Sequence, residues 1–270
     1  MKFKVNNEEV FASTGGRPFD KNKPLIIFIH GSGLTHMCWV LQTRFFAFRG
    51  YSILALDLPG HGLSGGKSLK SIEDMADWVN EVIDAVGFKE ASLVGHSQGC
   101  LISIECSARY PNKIKTLSLM GGAGSIPMNP ELLSLAENND KKAVDLMMDF
   151  AHGPSGHFGG HPVPGLYHLN TGSMLVQSKE IKDTLGVDFR ACQNYNNGFE
   201  AAKKLDLPTL SILAEQDRMC RLKDGIKLAD HIKNSEVHII KNCGHMMLLE
   251  EADQTLSILK KFIKSNYPSN

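Results

Sequence analysis

Short runs of mainly apolar residues recur along the chain at 24–29, 52–57, 91–96 and 114–120, and again at 208–214 and 236–240. The first, Pro24-Leu25-Ile26-Ile27-Phe28-Ile29, is apolar at successive positions instead of alternating. Such a run predicts a strand buried on both faces, as parallel sheets require. Between the runs, apolar residues fall at helical spacing over 39–48, 72–86, 98–110, 223–232 and 254–264. Ser71 stands where it can cap the second of these helices, Asp74 supports that end, and Gly87 stops it. Two shorter segments, 3–5 and 9–11, fit a hairpin at a sheet edge. Strand-helix alternation at this spacing predicts βαβ units: an α/β fold with a mostly parallel central sheet flanked by helices.

The alternation breaks near Gly121 and resumes at Pro208. Over 126–205 no buried strand is evident, while 132–136, 143–151, 173–184 and 189–202 have helical character. The stretch 153–165 holds five glycines and three prolines and predicts a loop. A helical stretch that interrupts a parallel sheet is an insertion, expected to cap one end of it. The organisation expected is therefore a core of 1–125 and 206–270 with a helical cap at 126–205.

Composition narrows the classes. With 42% hydrophobic and 21% charged residues, the 270-residue chain is neither disordered nor a coiled coil. Its 29 basic and 29 acidic residues balance, so no electrostatic footprint points to nucleic acid or an anionic membrane. No apolar run reaches the roughly 20 residues of a membrane span, and the N-terminus turns polar at once. The six cysteines show no Cys-x-x-Cys pairing and read as free, buried thiols of a reducing compartment. A cytoplasmic protein, monomer or homodimer, is expected.

The chemistry centres on Gly95-His96-Ser97-Gln98-Gly99. It lies between a buried strand and a helix, where a sharp turn lifts Ser97 above the sheet and glycines relieve crowding. A serine hydroxyl needs a base, and the base needs a carboxylate to orient it. Two positions after later strands answer: Asp217, with Glu215 as the competing acid, and His245. A tetrahedral intermediate needs two N–H donors. Gln98 supplies one, and the loop His30-Gly31-Ser32-Gly33 the other, with Ser32 first choice and Gly33 second. His30 is expected to hold that loop. Cys100, just after the elbow, reads as a packing residue. Four histidines at 152, 157, 161 and 168 show no metal-ligand spacing, and loop hydrogen bonding is the expectation for most of them.

Together with Asp57-Leu58-Pro59-Gly60-His61-Gly62-Leu63-Ser64 and Gly244-His245 followed by Glu250, these motifs resemble the cap-bearing serine hydrolases of the α/β-hydrolase fold. The resemblance covers nearly the whole chain outside the cap. It implies no metal or organic cofactor, and a structural role for the 57–64 loop. It also implies a carboxylesterase, lactonase, thioesterase, C–C bond hydrolase or, from another class, a slow-turnover ligand receptor. Serine at the elbow argues against dehalogenases and epoxide hydrolases, which carry aspartate there. The reading favoured is hydrolysis of a small-to-medium apolar carboxylic ester. For C–C cleavage, Arg190 is the residue that would meet a substrate carboxylate.

Overall fold

The computed structural model describes residues 1–154, 162–179 and 183–269. Eight strands form one sheet: β1 (Lys2–Val5), β2 (Glu8–Ser13), β3 (Leu25–Ile29), β4 (Ser52–Leu56), β5 (Ala91–His96), β6 (Ile114–Met120), β7 (Thr209–Ala214) and β8 (Ser235–Ile240). Their spatial order is β1-β2-β4-β3-β5-β6-β7-β8. β1, β2 and β4 pair antiparallel, and every pair from β4 to β8 is parallel. This is the mostly parallel α/β sheet expected, with the N-terminal hairpin on one edge.

The unbroken apolar runs have a simple cause. On β3, Leu25, Ile27 and Ile29 join one apolar layer, while Ile26 and Phe28 join the other. The first layer is completed by α2 (Ile72–Ala85) and α3 (Gln98–Arg109). The second is completed by α1 (Val40–Ala47) and, near the C-terminus, α11 (Ala252–Asn266). α2 starts as expected: the Ser71 hydroxyl accepts the Asp74 N–H at 3.1 Å. β8 departs from the buried pattern because it is the outer edge strand; Val237 and Ile239 are exposed there.

Between β6 and β7 the described residues hold five helices: α4 (Pro130–Glu137), α5 (Lys141–Ala151), α6 (Pro164–Lys179), α7 (Thr184–Asn194) and α8 (Gly198–Lys203). The expected helix at 173–184 is thus corrected to α6 plus the start of α7, and helix replaces loop from Pro164. The expected single helix at 189–202 is two, α7 and α8. Met147, Met148, Met174, Leu185 and Phe189 from these helices share the second apolar layer with Phe28, Trp39 and Met246. After β7 come α9 (Leu222–Ala229) and the short α10 (Met247–Glu250). Among the described residues no helix is long and apolar enough to cross a membrane.

Candidate active site

Ser97 follows β5 directly and caps α3 with φ 55° and ψ −119°, a backbone region that favours glycine. Two hydrogen bonds and two close backbone approaches force that turn. Ser97 N–H donates to Met120 O at 3.0 Å, and Cys100 N–H to Ser97 O at 2.8 Å. A Cβ on Gly99 would stand 2.3 Å from Ile29 O, and one on Gly95 would stand 2.3 Å from Gly99 O. Only glycine lets helix, strand and neighbouring strand approach so closely, and the strain then falls on Ser97. The α3 N-terminus places its partial positive charge at the same spot.

Asp217 and His245 come together on the loops after β7 and β8. His245 Nδ1 donates to Asp217 Oδ2 at 2.7 Å, with both side chains buried. The other oxygen, Oδ1, accepts Met219 N–H and Cys220 N–H, each at 2.8 Å. The carboxylate is therefore fixed at both ends. It leaves His245 Nε2 as the lone-pair nitrogen, buried and without a protein partner among the described residues. Glu215 is exposed and instead accepts Asn242 N–H at 3.1 Å. The end of β6 joins the two halves: Met120 O binds Ser97, and a Cβ on Gly121 would lie 3.0 Å from His245 Nδ1.

His96 braces this pair. Its ring lies 4.7 Å from that of His245, and its Nε2 donates to His245 O at 3.0 Å. Burial and the neighbouring His245 hold its pKa well below the ordinary value, so the ring is neutral. Glu250 braces the same loop: Oε2 accepts Gly153 N–H at 2.9 Å and Gly244 N–H at 3.3 Å. Met246 N–H also reaches Ala151 O at the end of α5 at 3.0 Å. Burial raises the Glu250 pKa.

His30 Nδ1 donates to Gly31 O at 2.8 Å, and its Nε2 accepts Leu58 N–H at 3.2 Å. Burial and nearby His61 push its pKa down to about 4, so it holds the loop as a neutral ring. Gly31 is needed there, since a Cβ would stand 3.0 Å from that of Ser97. Gly33 is corrected as an oxyanion donor: its N–H is engaged by Asp188 Oδ2 at 2.8 Å. Ser32, buried in the same turn, remains the candidate. The 57–64 loop is tied by Asp57, whose Oδ1 accepts His36 N–H at 2.7 Å and whose Oδ2 accepts Leu63 N–H at 2.9 Å. Cys100 is buried with its Sγ donating to Gly95 O and Met120 O at 3.3 Å, and burial raises its pKa, which makes it a poor nucleophile.

Residues 26–258 match the alpha/beta hydrolase family model. The chain belongs to that family. A 2-hydroxy-6-oxononadienedioate/2-hydroxy-6-oxononatrienedioate hydrolase of Pseudomonas sp is 26% identical over 254 residues, covering 88% of this chain and 87% of that one. A monoacylglycerol lipase of Bos taurus is 25% identical over 271 residues, covering 93% and 77%. The solved structure of a thermophilic esterase superposes with a TM-score of 0.82 at 26% identity, over 99% of this chain and 98% of that one. These relatives of the alpha/beta hydrolase family are hydrolases of differing bond preference.

The polar candidates of the segment between β6 and β7 have protein partners or ring neighbours where they are described. Arg190 is exposed and pairs with Glu137 at 2.6 Å. His152 is buried with Nδ1 at 3.0 Å from Met148 O and its ring edge-on to Tyr167. His168 lies edge-on to Tyr167 as well. His157 and His161 lie outside the described residues. Among the described residues no His, Cys, Asp and Glu cluster is placed to hold a metal. Asp188 and His61, both buried beside the 30–33 loop, were not legible as site residues. Their only signal is an acid between apolar Val187 and Phe189, and a histidine between two glycines.

Proposed function

We propose that this alpha/beta hydrolase is a serine hydrolase acting on a small-to-medium carboxylic ester with an apolar acyl group. The observation that carries the chemistry is the buried His245–Asp217 bond beside the strained Ser97 turn. Ser97 Oγ attacks the carbonyl carbon as His245 Nε2 takes its proton. Asp217 holds the histidine tautomer and stabilises the imidazolium. The N–H groups of Ser32 and Gln98 hold the oxyanion. The tetrahedral intermediate collapses, and His245 returns the proton to the departing alcohol. Water, deprotonated by the same nitrogen, then attacks the acyl-serine and frees the acid.

The acyl preference follows from what surrounds the oxyanion loop. A Cβ on Gly33 would meet Leu185 Cδ1 at 2.9 Å and Met174 Cε at 3.1 Å, so apolar cap side chains close over it. The likeness to the dioate hydrolase raises C–C cleavage as the second reading. A dioate carries two carboxylates and needs cations. Every Lys and Arg whose side chain is described is exposed, except half-buried Lys113, which pairs with Asp84. That favours a neutral ester.

Steady-state hydrolysis of p-nitrophenyl esters from acetate to long chains, beside a dicarboxylate vinylogous diketone, tests this. Multiple turnover with a chain-length optimum and no diketone cleavage is expected. Preferential diketone cleavage, or release of a single equivalent of p-nitrophenol, would contradict it, the latter pointing to a receptor.

A further inference from the structure

The cap meets the oxyanion loop at a buried ion pair that the steps above do not use. Asp188, on α7, is fully buried, and its Oδ2 accepts Gly33 N–H at 2.8 Å and His61 Nε2–H at 2.9 Å. The other His61 nitrogen faces Pro59 O at 3.1 Å. A neutral imidazole has one N–H and one acceptor. Both His61 nitrogens face acceptors, so the ring that satisfies both is the charged one. Burial opposes that charge, but Asp188 outweighs it and the His61 pKa is raised. Two more contacts come from the same turn of α7. Gln98 Nε2 donates to Asp188 O at 3.2 Å, and Cys192 Sγ lies 3.8 Å from Ser32 Oγ. One helix turn of the cap therefore touches both proposed oxyanion donors.

Apolar packing would attach α7 to the body at least as well, since a buried ion pair rarely outperforms apolar residues of the same volume. Asp188 Oδ1 adds to the cost, having no protein partner among the described residues. What the pair supplies is fixed geometry. We propose that Asp188 and His61 are positioning residues. They form a charge-assisted latch by which the cap holds Gly33, and with it the adjacent Ser32 N–H, in register with the Gln98 N–H. This rests on the serine-hydrolase reading. The groups that face His61 are Asp188 from α7, Asp57 from the end of β4, and His30 from the end of β3 at 5.0 Å between rings. Asp57 is already engaged by His36 and Leu63, and His30 is neutral, which leaves Asp188 as the direct partner.

Asp188→Asn keeps the shape and removes the charge. The test compares it with the wild type for ester hydrolysis and for the rate at which a fluorophosphonate labels Ser97, each across pH. In the wild type, His61 is charged below its raised pKa, so labelling declines as pH rises past that value. In Asp188→Asn, kcat and the labelling rate should both fall about 10- to 100-fold, KM should change less than about threefold, and the alkaline decline should vanish. Labelling at the wild-type rate with an unchanged pH profile would overturn the latch, as would a loss confined to KM. Should the variant not fold, the wild type decides: a decline above neutrality supports the latch, and a labelling rate flat to about pH 10 overturns it. A wild-type protein inert to both probe and esters would overturn the hydrolase reading, and the latch with it.

Discussion

Ser97 shows what one residue can be made to bear. Its φ of 55° is imposed by Gly95 and Gly99, which bring strand and helix into backbone contact. A non-glycine residue there costs on the order of 1–3 kcal/mol. Ser97→Gly should therefore raise the unfolding free energy by about 1 kcal/mol while abolishing turnover. Urea denaturation checks this; a variant less stable than the wild type would mean that the turn is not strained. The elbow was legible because its chemistry and its backbone demand coincide in five residues. Asp217 was expected from its place after β7, with Glu215 set aside as nearer the strand end, and Glu215 instead accepts Asn242 N–H. Asp188 touches residues distant in sequence, so no spacing announces it; it meets Gly33, 155 residues away.

Among the elements, β3 to β6 were readable because each feeds two apolar layers at once. β8, expected only as a strand, is an edge strand that leaves Val237 and Ile239 exposed. The segment between β6 and β7 was readable as helical but not in its helix boundaries. α6 contains Gly165, Asn170, Thr171, Gly172 and Ser173, all poor helix formers. Asn170 Nδ2 and Thr171 Oγ1 satisfy themselves on Leu166 O and Tyr167 O, each at 2.9 Å, within the helix. The break between α7 and α8 is likewise tertiary. Tyr195 Oη and Asn197 Nδ2 both donate to buried Glu105 on α3, at 2.7 and 2.9 Å. A Cβ on Gly198 would collide with Gly124 O at 2.0 Å, so the restart is tied to the end of the core. Helical periodicity carries none of this.

At the scale of the molecule, buried histidines link the site to stability. His30 is pushed down to about 4 and His96 well below its ordinary value of 6.5. Their folded pKa lies below the unfolded one, so the unfolded chain takes up protons first on acidification. The stability they contribute is whole above about pH 6.5 and is lost as pH falls toward 4. His61 has the opposite sign: its contribution is whole below about 6.5 and lost as pH rises through its raised value. Two such rings against one predict net loss on the acid side. His30 alone should remove about 2 kcal/mol between pH 7 and 5. Urea midpoints at those two pH values measure it, and an equal or higher midpoint at pH 5 would refute the burial of neutral rings.

The central claim is that Ser97 is the nucleophile of an ester hydrolase. Its most direct measurement is kcat for p-nitrophenyl butyrate in wild type and Ser97→Ala, with circular dichroism to confirm an unchanged fold. Loss of at least about 1,000-fold in a folded variant is the predicted result. Near-normal turnover by folded Ser97→Ala would contradict the account.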